Sequence, residues 1–248
     1  MILLASVTTT TNIPVGAHIT GKFLSMTVNI DDIISCLVSG AIVLILGFWM
    51  RAKVTSGVPG KLQMFFEAVV GWVQEQVTKS MGSKGKAVIP LAVTIFFYIL
   101  FANWLEMLPT GHNPQYLPAP TGDINFTAAM AVLVIVLVHI TYVRRKGIKA
   151  YIGHYFKPYP VFFPINVIEE ITKPITLALR LFGNIFAGGI LLLLISDLIP
   201  AKFIVGIPIL DVGWKLFDGL FVGPIQAFIF TLLTIMYFES AISTESAH

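Results

Sequence analysis

The sequence predicts an all-α integral membrane protein with five transmembrane helices. Apolar residues make up 56% of the 248 residues, charged residues make up 12%, and the mean hydropathy is +0.85. Soluble domains carry about 25% charged residues, so this chain has too little charge to cover a water-soluble surface. The same composition excludes a disordered chain, a nucleic-acid-binding domain and a secreted disulfide scaffold. We expect a single membrane domain over residues 1–248.

Five apolar stretches are long enough for transmembrane helices, which need roughly 20 residues to cross a hydrocarbon core of about 30 Å. The fourth would be roughly 52 Å long as a helix, at about 1.5 Å per residue, so we expect it to tilt, bend or run partly outside the bilayer. Pro174 limits where its regular part begins, or kinks it. The predicted spans cover residues 33–50, 87–108, 126–143, 165–199 and 214–239.

The positions of the basic residues predict how the chain is oriented. Most of the 16 lysines and arginines fall in loops on one side of the predicted spans. Cytoplasmic loops carry such an excess. The N-terminus is therefore expected outside and, after five spans, the C-terminus in the cytoplasm. The first residues lack a basic region and a long apolar core, so we expect no secretory signal peptide.

Residues 61–81 are apolar on one side only. Phe66, Val69, Val73 and Val77 recur at helical spacing, with charged and amide side chains between them. This pattern predicts an amphipathic helix that lies in the cytoplasmic interface. A loop helix that packs on its own protein is an equally good interpretation.

The fourth apolar stretch contains a charge, Arg180, between leucines. A guanidinium near mid-membrane costs at least about 2.5–3.5 kcal/mol and cannot be discharged by losing its proton. One interpretation is that Arg180 snorkels to the interface, or pairs with Glu106 or Asp218. The other is that it faces a buried carboxylate that comes and goes, and intramembrane charges favour such a functional role.

Helical spacing places polar and small residues beside Arg180. Asn184 and Gly188 follow at i+4 and i+8, on the same face, and the small residues near them allow another helix to approach closely. In the fifth stretch Gln226 shares a helical stripe with Gly219. A buried Gln would either bind a carbonyl of a neighbouring helix or orient the Arg180 guanidinium.

Two segments resemble the signature helices of subunit a of bacterial F-type ATP synthases: LALRLFGNIFAGGI at 177–190 and GPIQAFIFTLLTIMYF at 223–238. The motif around Arg180 is highly specific. Other segments are similar to that subunit's middle spans and first cytoplasmic loop, at 90–109, 121–132 and 51–69. The resemblance covers most of the chain from about residue 26 to 240.

In this family, subunit a is the stator beside a rotating ring of c subunits, and two offset half-channels lead from opposite sides to the ring's carboxylates. The resemblance implies that Arg180 is the essential stator arginine, with Asn184 and Gln226 near it. It also implies that the long helix pair packs against the c-ring, and that proton flow through a bacterial plasma membrane drives ring rotation and ATP synthesis. The implied partners are the c-subunit ring, the b-type subunits of the peripheral stalk, the remaining ATP synthase subunits, membrane lipid and the translocated proton, with no nucleic acid.

The sequence departs from the family's pattern at Gly189 and Gly219, where many relatives have a Glu and a His. Other residues must then line the outer half-channel. We predict that Asp218, Asp123 and Asn125 do so, with His112, Asp197 and Asp211 as weaker alternatives.

On the inner side, Glu169 and Glu170 are predicted to line the proton exit, with Glu239 as a further candidate. The two adjacent glutamates would equally well solvate the start of a helix. His139 lies near the cytoplasmic end of its span, and we expect it to be a packing residue with one hydrogen bond.

Two other classes of function compete with the stator. A secondary transporter would bind an anionic substrate at Arg180, but such proteins have discontinuous helices and pseudo-symmetric halves that this sequence lacks. A membrane enzyme would need convergent nucleophiles, bases or metal ligands in the spans. With no P-loop pattern, we expect no ATP hydrolysis by the chain alone. Cys36 is the single cysteine, and we expect no disulfide, cofactor or metal.

Overall fold

The fold is built from long apolar helices. The structure, a computed structural model, describes residues 20–23, 26–54, 59–105, 107, 119–156, 159–198 and 206–242. Within these ranges, five helical segments are long and apolar enough to cross a membrane: Ile30–Lys53, Lys61–Leu105, Ile124–Lys146, Pro160–Leu191 and Val212–Ile242. The predicted all-α membrane protein with five spans is confirmed. The orientation of these helices across the membrane stays a prediction.

The described chain begins with a short antiparallel hairpin, β1 (Thr20–Phe23) and β2 (Met26–Asn29), that our sequence prediction lacks. The helices follow in the order α1 (Ile30–Lys53), α2 (Lys61–Met81), α3 (Ile89–Leu105), α4 (Ile124–Lys146), α5 (Ile148–His154), α6 (Phe163–Leu198), α7 (Gly206–Phe217) and α8 (Gly223–Ile242). Short 3₁₀ segments at Gly82–Val88, Pro120–Gly122 and Pro160–Phe162 precede α3, α4 and α6.

The ends of α4 show how the sequence delimits a span. Asp123 is the N-cap, and its carboxylate accepts the backbone N–H of Asn125 at 2.7 Å. Basic residues 144–146 occupy the last turn, where they complement the negative end of the helix dipole. Gly147 then adopts φ of 83°, a left-handed conformation that favours glycine, and the helix ends.

The helix α6 is the longest of the described elements, at 36 residues. It is about 54 Å long at 1.5 Å per residue, well beyond the roughly 30 Å of a hydrocarbon core. Pro174 lies inside α6 and does not end it. The helix must therefore tilt in the membrane or extend beyond it, as the length of the apolar stretch predicts.

The core of the bundle lies around α3 and α4. The helix α3 packs against α1, α2 and α8, and α4 packs against α6 and α8. The buried side chains at these contacts include Ala92, Ile99, Leu100, Val134, Leu177, Leu181, Phe230 and Ile235. These contacts fix α8 on both α3 and α4, and α6 on α4, so they determine where the polar residues of α6 and α8 project.

The amphipathic helix α2 packs on its own protein. Val73 and Val77 are fully buried, and Val69 nearly so, against the bundle that α3 and α8 form. On the other side Lys79 and Glu75 form an exposed ion pair at 2.7 Å. The predicted apolar stripe is thus the packed face of α2, while the depth of α2 in the interface stays a prediction.

The last span differs from the predicted 214–239 because the helix begins earlier and contains a wider turn. The helix α7 starts at Gly206, residues Asp218–Val222 form one π-helical turn, and α8 continues to Ile242. In this turn the Gly223 N–H binds the Asp218 carbonyl five residues back. Such turns are rare and occur often at functional sites.

Gly85 allows close contact between the 3₁₀ segment and α2. A Cβ at this position would lie 2.7 Å from Val77 Cγ1 and 2.8 Å from Met81 Cβ. We expect Gly85→Ala to destabilise the fold by about 1–3 kcal/mol through overpacking. Gly71→Ala is the matched control, because a Cβ there meets nothing within 4 Å. Thermal unfolding of the two variants should show a lower Tm for Gly85→Ala alone, and equal Tm values would contradict this packing.

Candidate functional site

Arg180 projects from the outer side of α6. Leu177, Ala178 and Leu181 are buried in the core and fix the packed side of this helix. Arg180 itself is exposed, three residues after Leu177 and one before Leu181. Among the described residues no carboxylate forms an ion pair with it, so the alternative in which Arg180 pairs with Asp218 does not apply. Glu106, the other carboxylate of that alternative, lies outside the described residues.

Tyr237 on α8 lies opposite this part of α6. Its hydroxyl interacts electrostatically with Arg180, Lys173 and Glu170, and it lies near the Thr176 side chain. Our sequence analysis missed this residue. A signal existed, because Tyr237 follows Gln226 by eleven residues, about three helical turns, and so lies on the same face of the helix.

Asn184 and Asp218 meet between α6 and the π turn. The Asn184 side chain interacts with the Asp218 carboxylate, which brings together two of the predicted site residues. Gln226 is half-buried one helical turn into α8. Arg180 and Asn184 lie on consecutive turns of α6, so the Asn184–Asp218 pair lies one turn from the guanidinium.

The small residues of α6 face two different surroundings. Gly188 is buried, and a Cβ on it would lie 3.5 Å from Nε1 of Trp214 on α7. Gly183 and Gly189 have nothing within 4 Å of a Cβ, and Ala187 is exposed. The predicted surface for a partner helix is therefore covered by the chain itself at Gly188 and open at Gly183 and Ala187.

The π turn is held by side chains at the end of α3. Trp104 Nε1 donates to the Gly219 carbonyl at 2.8 Å. Asn103, which is 3% exposed, donates to the Gly223 carbonyl at 3.4 Å and accepts from the Thr121 hydroxyl at 2.7 Å. Sequence analysis missed these roles, although a polar amide in an apolar span is the kind of residue that finds a buried partner.

The remaining outer candidates have mixed positions. The Asp123 carboxylate accepts both the backbone N–H and the side-chain amide of Asn125, and Asn125 is exposed. Asp123 thus caps α4, and no described contact joins it to Asp218. His112 lies outside the described residues, and so do the side chains of Asp197 and Asp211.

The inner candidates form a polar cluster between α4 and α6. Glu170 is 18% exposed, with Lys173 Nζ at 2.8 Å and His139 Nε2 at 3.5 Å. His139 is thus in contact with a carboxylate, beyond the packing role that we predicted. Glu169 is exposed and Glu239 is half-buried, so Glu170 is the glutamate of the predicted pair that the fold builds into a network.

Two tyrosines extend this network toward α5. The hydroxyls of Tyr151 and Tyr155 are 2.8 Å apart, and the ring of Tyr151 stands edge-on to His139 at 5.6 Å. Burial, the bond to Tyr151 and the nearby Glu170 charge raise the pKa of Tyr155. Tyr155 therefore stays neutral and can both donate and accept a hydrogen bond. No group of three metal-ligating side chains occurs in the part of the chain that is described.

Comparison with known proteins assigns the chain to a family. The family model of the ATP synthase A chain matches residues 33–239. ATP synthase subunit a of Acidothermus cellulolyticus is 51% identical over 94% of this chain and 84% of its own length. The subunits a of Mycobacterium bovis and Mycobacterium leprae are 47% and 45% identical, each over 95% of this chain and 96% of its own length. The five apolar helices and these matches show that the chain is a multi-pass protein of the bacterial plasma membrane and belongs to the family of ATP synthase subunit a, the proton-translocating membrane subunit of that complex.

Proposed function

We propose that this chain forms the stator side of a rotary proton path, in which Arg180 is the fixed charge between two offset half-channels that lead to the carboxylates of the c-ring. Proton flow along this path turns the ring and drives ATP synthesis. The observation that carries the proposal is the Arg180 guanidinium, exposed on a membrane-spanning helix without a carboxylate partner among the described residues.

The physical argument starts from the cost of that charge. Arginine keeps its proton, so it cannot reduce the cost of about 2.5–3.5 kcal/mol by becoming neutral. No counter-charge for it is present among the described residues, and a carboxylate on a neighbouring subunit would supply one. Arg180 attracts the ionised form of such a carboxylate and thereby favours release of its proton. The same fixed charge repels protons and opposes direct leakage between the half-channels.

The polar contacts around Arg180 support two separate paths. Asn184 and Asp218 form a pair on one side of it along α6, and Asp123 with Asn125 lies at the start of α4 as a more distant outer candidate. Glu170 and its neighbours lie about three turns away on the other side, with Glu169 beside it. Tyr237 lies between the inner cluster and Arg180. Gln226 lies one α8 turn beyond the π turn, within the same half of the bundle as the outer pair.

The open part of α6 supports contact with the ring. Gly183 follows Arg180 by one turn, and Ala187 by two, and both leave room for another helix. Small residues of this kind let helix backbones approach closely. The ring, the b-type subunits and the remaining ATP synthase subunits are the partners that this proposal assigns to the chain.

Crosslinking in the assembled complex tests which surface faces the ring. The native cysteine is replaced by Cys36→Ser, and a thiol-directed photo-crosslinker is attached at Gly183→Cys. We expect capture of the ring subunit, because a side chain at 183 enters open space beside Arg180. Leu37→Cys on α1, where the leucine is 67% exposed, is the matched control and should not capture the ring subunit. Capture from position 37 but not from position 183 would place the ring against α1 instead of α6 and overturn the proposal.

A further inference from the structure

We propose that the π turn at Asp218–Val222 shifts the helical register of the last span. The shift places the Asp218 carboxylate on the channel face shared by Asn184 and Gln226. Trp104 and Asn103 of α3 are the positioning residues that hold this turn. The inference rests on the proposed function only for the use of the carboxylate in proton transfer, since the geometry is independent of it.

The register follows from counting residues per turn. About seven residues complete two turns of an α-helix, so in a regular helix position 219 would share the face of Gln226. A π turn bonds residues five apart and holds one more residue than an α turn. Two turns that include it contain about eight residues, which brings Asp218 onto the Gln226 face. Gly219 is correspondingly rotated toward α3.

Contacts on both sides of the helix agree with this register. The Asp218 carboxylate interacts with the Asn184 side chain on α6. A Cβ on Gly219 would overlap the Met107 side chain, and a Cβ on Gly223 would lie 3.2 Å from Asn103 Cβ. Gly219 and Gly223 thus face the end of α3 while Asp218 faces α6.

Pro224 gives a local cause for the wider turn. A proline ring inside a helix clashes with the carbonyl four residues back, here that of Leu220, and it supplies no N–H. The Gly223 N–H binds the Asp218 carbonyl instead of the Gly219 carbonyl. Because the next donor along the chain would be the missing N–H of Pro224, the Gly219 carbonyl has no donor within its own helix.

Trp104 supplies the donor that the helix lacks. Its indole N–H reaches the Gly219 carbonyl at 2.8 Å, across 115 positions of sequence. Asn103 adds a bond to the Gly223 carbonyl and is itself oriented by the buried hydroxyl of Thr121. A buried carbonyl without a partner is costly, so these bonds favour the π turn over a regular helix.

Thiol labelling of the assembled complex measures the register directly. In the Cys36→Ser background, Asp218→Cys is treated with a water-soluble methanethiosulfonate reagent, which reacts with the thiolate and therefore requires water at the site. We expect Trp104→Phe and Pro224→Ala each to slow this labelling by about tenfold, because the turn relaxes toward an α-helix and rotates position 218 away. Trp72→Phe is the control, since Trp72 stacks on Phe228 at 4.6 Å, away from the turn, and should leave the rate unchanged.

A second position tests the other side of the turn. Gly219→Cys is introduced with Met107→Ala, which removes the atoms that overlap a Cβ at 219. We expect little labelling with Trp104 present and faster labelling after Trp104→Phe. Equal labelling at 218 and 219 with Trp104 present, or no response of position 218 to either Trp104→Phe or Pro224→Ala, would overturn the register. Neither outcome depends on proton transport, so a failure here is distinct from a failure of the proposed function.

Discussion

Replacing Arg180 by alanine is expected to abolish coupled ATP synthesis, with a fall of about a hundredfold or more, while passive proton conduction through the membrane sector is retained or raised. Removing a preorganised charge typically costs this much in rate. Passive conduction should persist because this substitution removes the barrier between the half-channels and leaves the half-channels themselves intact. The measurement compares ATP synthesis by the assembled complex with passive proton uptake by vesicles from which the head has been removed.

Arg180→Lys tests whether a positive charge at this position is sufficient or whether the guanidinium group itself is required. Lysine carries the same charge but can lose its proton in an apolar site, and it lacks the planar fork of the guanidinium. We expect synthesis to fall strongly in this variant as well. Arg144→Ala, at the exposed end of α4, is the control and should synthesise ATP at the wild-type rate. Unchanged synthesis in either Arg180 variant would make Arg180 a structural charge, and the stator proposal would fall with it.

Hydropathy and length were sufficient to predict the fold class, because each membrane-spanning helix must by itself be apolar enough and long enough to cross the hydrocarbon core. Residues 126–143 form an apolar run that stops at three basic residues. The observed helix, Ile124–Lys146, is only two residues longer at its start and three residues longer at its end. A charge inside an apolar run is likewise visible in the sequence, and it costs free energy in a membrane, so Arg180 was a candidate before the structure placed it on a membrane-spanning helix; its role stays a proposal. An apolar run and a charge inside it are both local features of the sequence, and local features can be identified in one sequence without a structure.

The parts of the site that escaped prediction depend on distant contacts. The π turn shifts the register of the last span by one residue, and the bond that holds it joins Trp104 to Gly219, which are 115 positions apart in the sequence. Gly188 was assigned to a surface for a partner helix, but Trp214 of the same chain covers it. Tyr237 comes near Arg180 and Glu170 only because α6 and α8 both pack against α4. Hydropathy carries no signal for any of these contacts.

The second large effect is expected at Asp218, the main candidate for the outer half-channel. Asp218→Asn keeps the size of the side chain and its contact with Asn184 but removes the group that carries a proton, and we expect passive proton uptake to fall by about a hundredfold. Asp218→Glu, which keeps the carboxylate, is the matched variant and should retain most of the uptake. Both are compared in vesicles with equal amounts of assembled membrane sector.

Asp123→Asn tests the more distant outer candidate without disturbing the fold. Asparagine caps helices as well as aspartate does, so α4 should keep the cap that Asp123 provides at the Asn125 N–H, at 2.7 Å. A slower uptake in this variant would then report the loss of a proton-carrying charge rather than the loss of helix stability. We expect a smaller effect than at position 218, because Asp123 already directs its carboxylate to the start of its own helix. If Asp218→Asn and Asp123→Asn both conduct protons at the wild-type rate, neither carboxylate lines the outer half-channel, and the path to Arg180 must run through other residues.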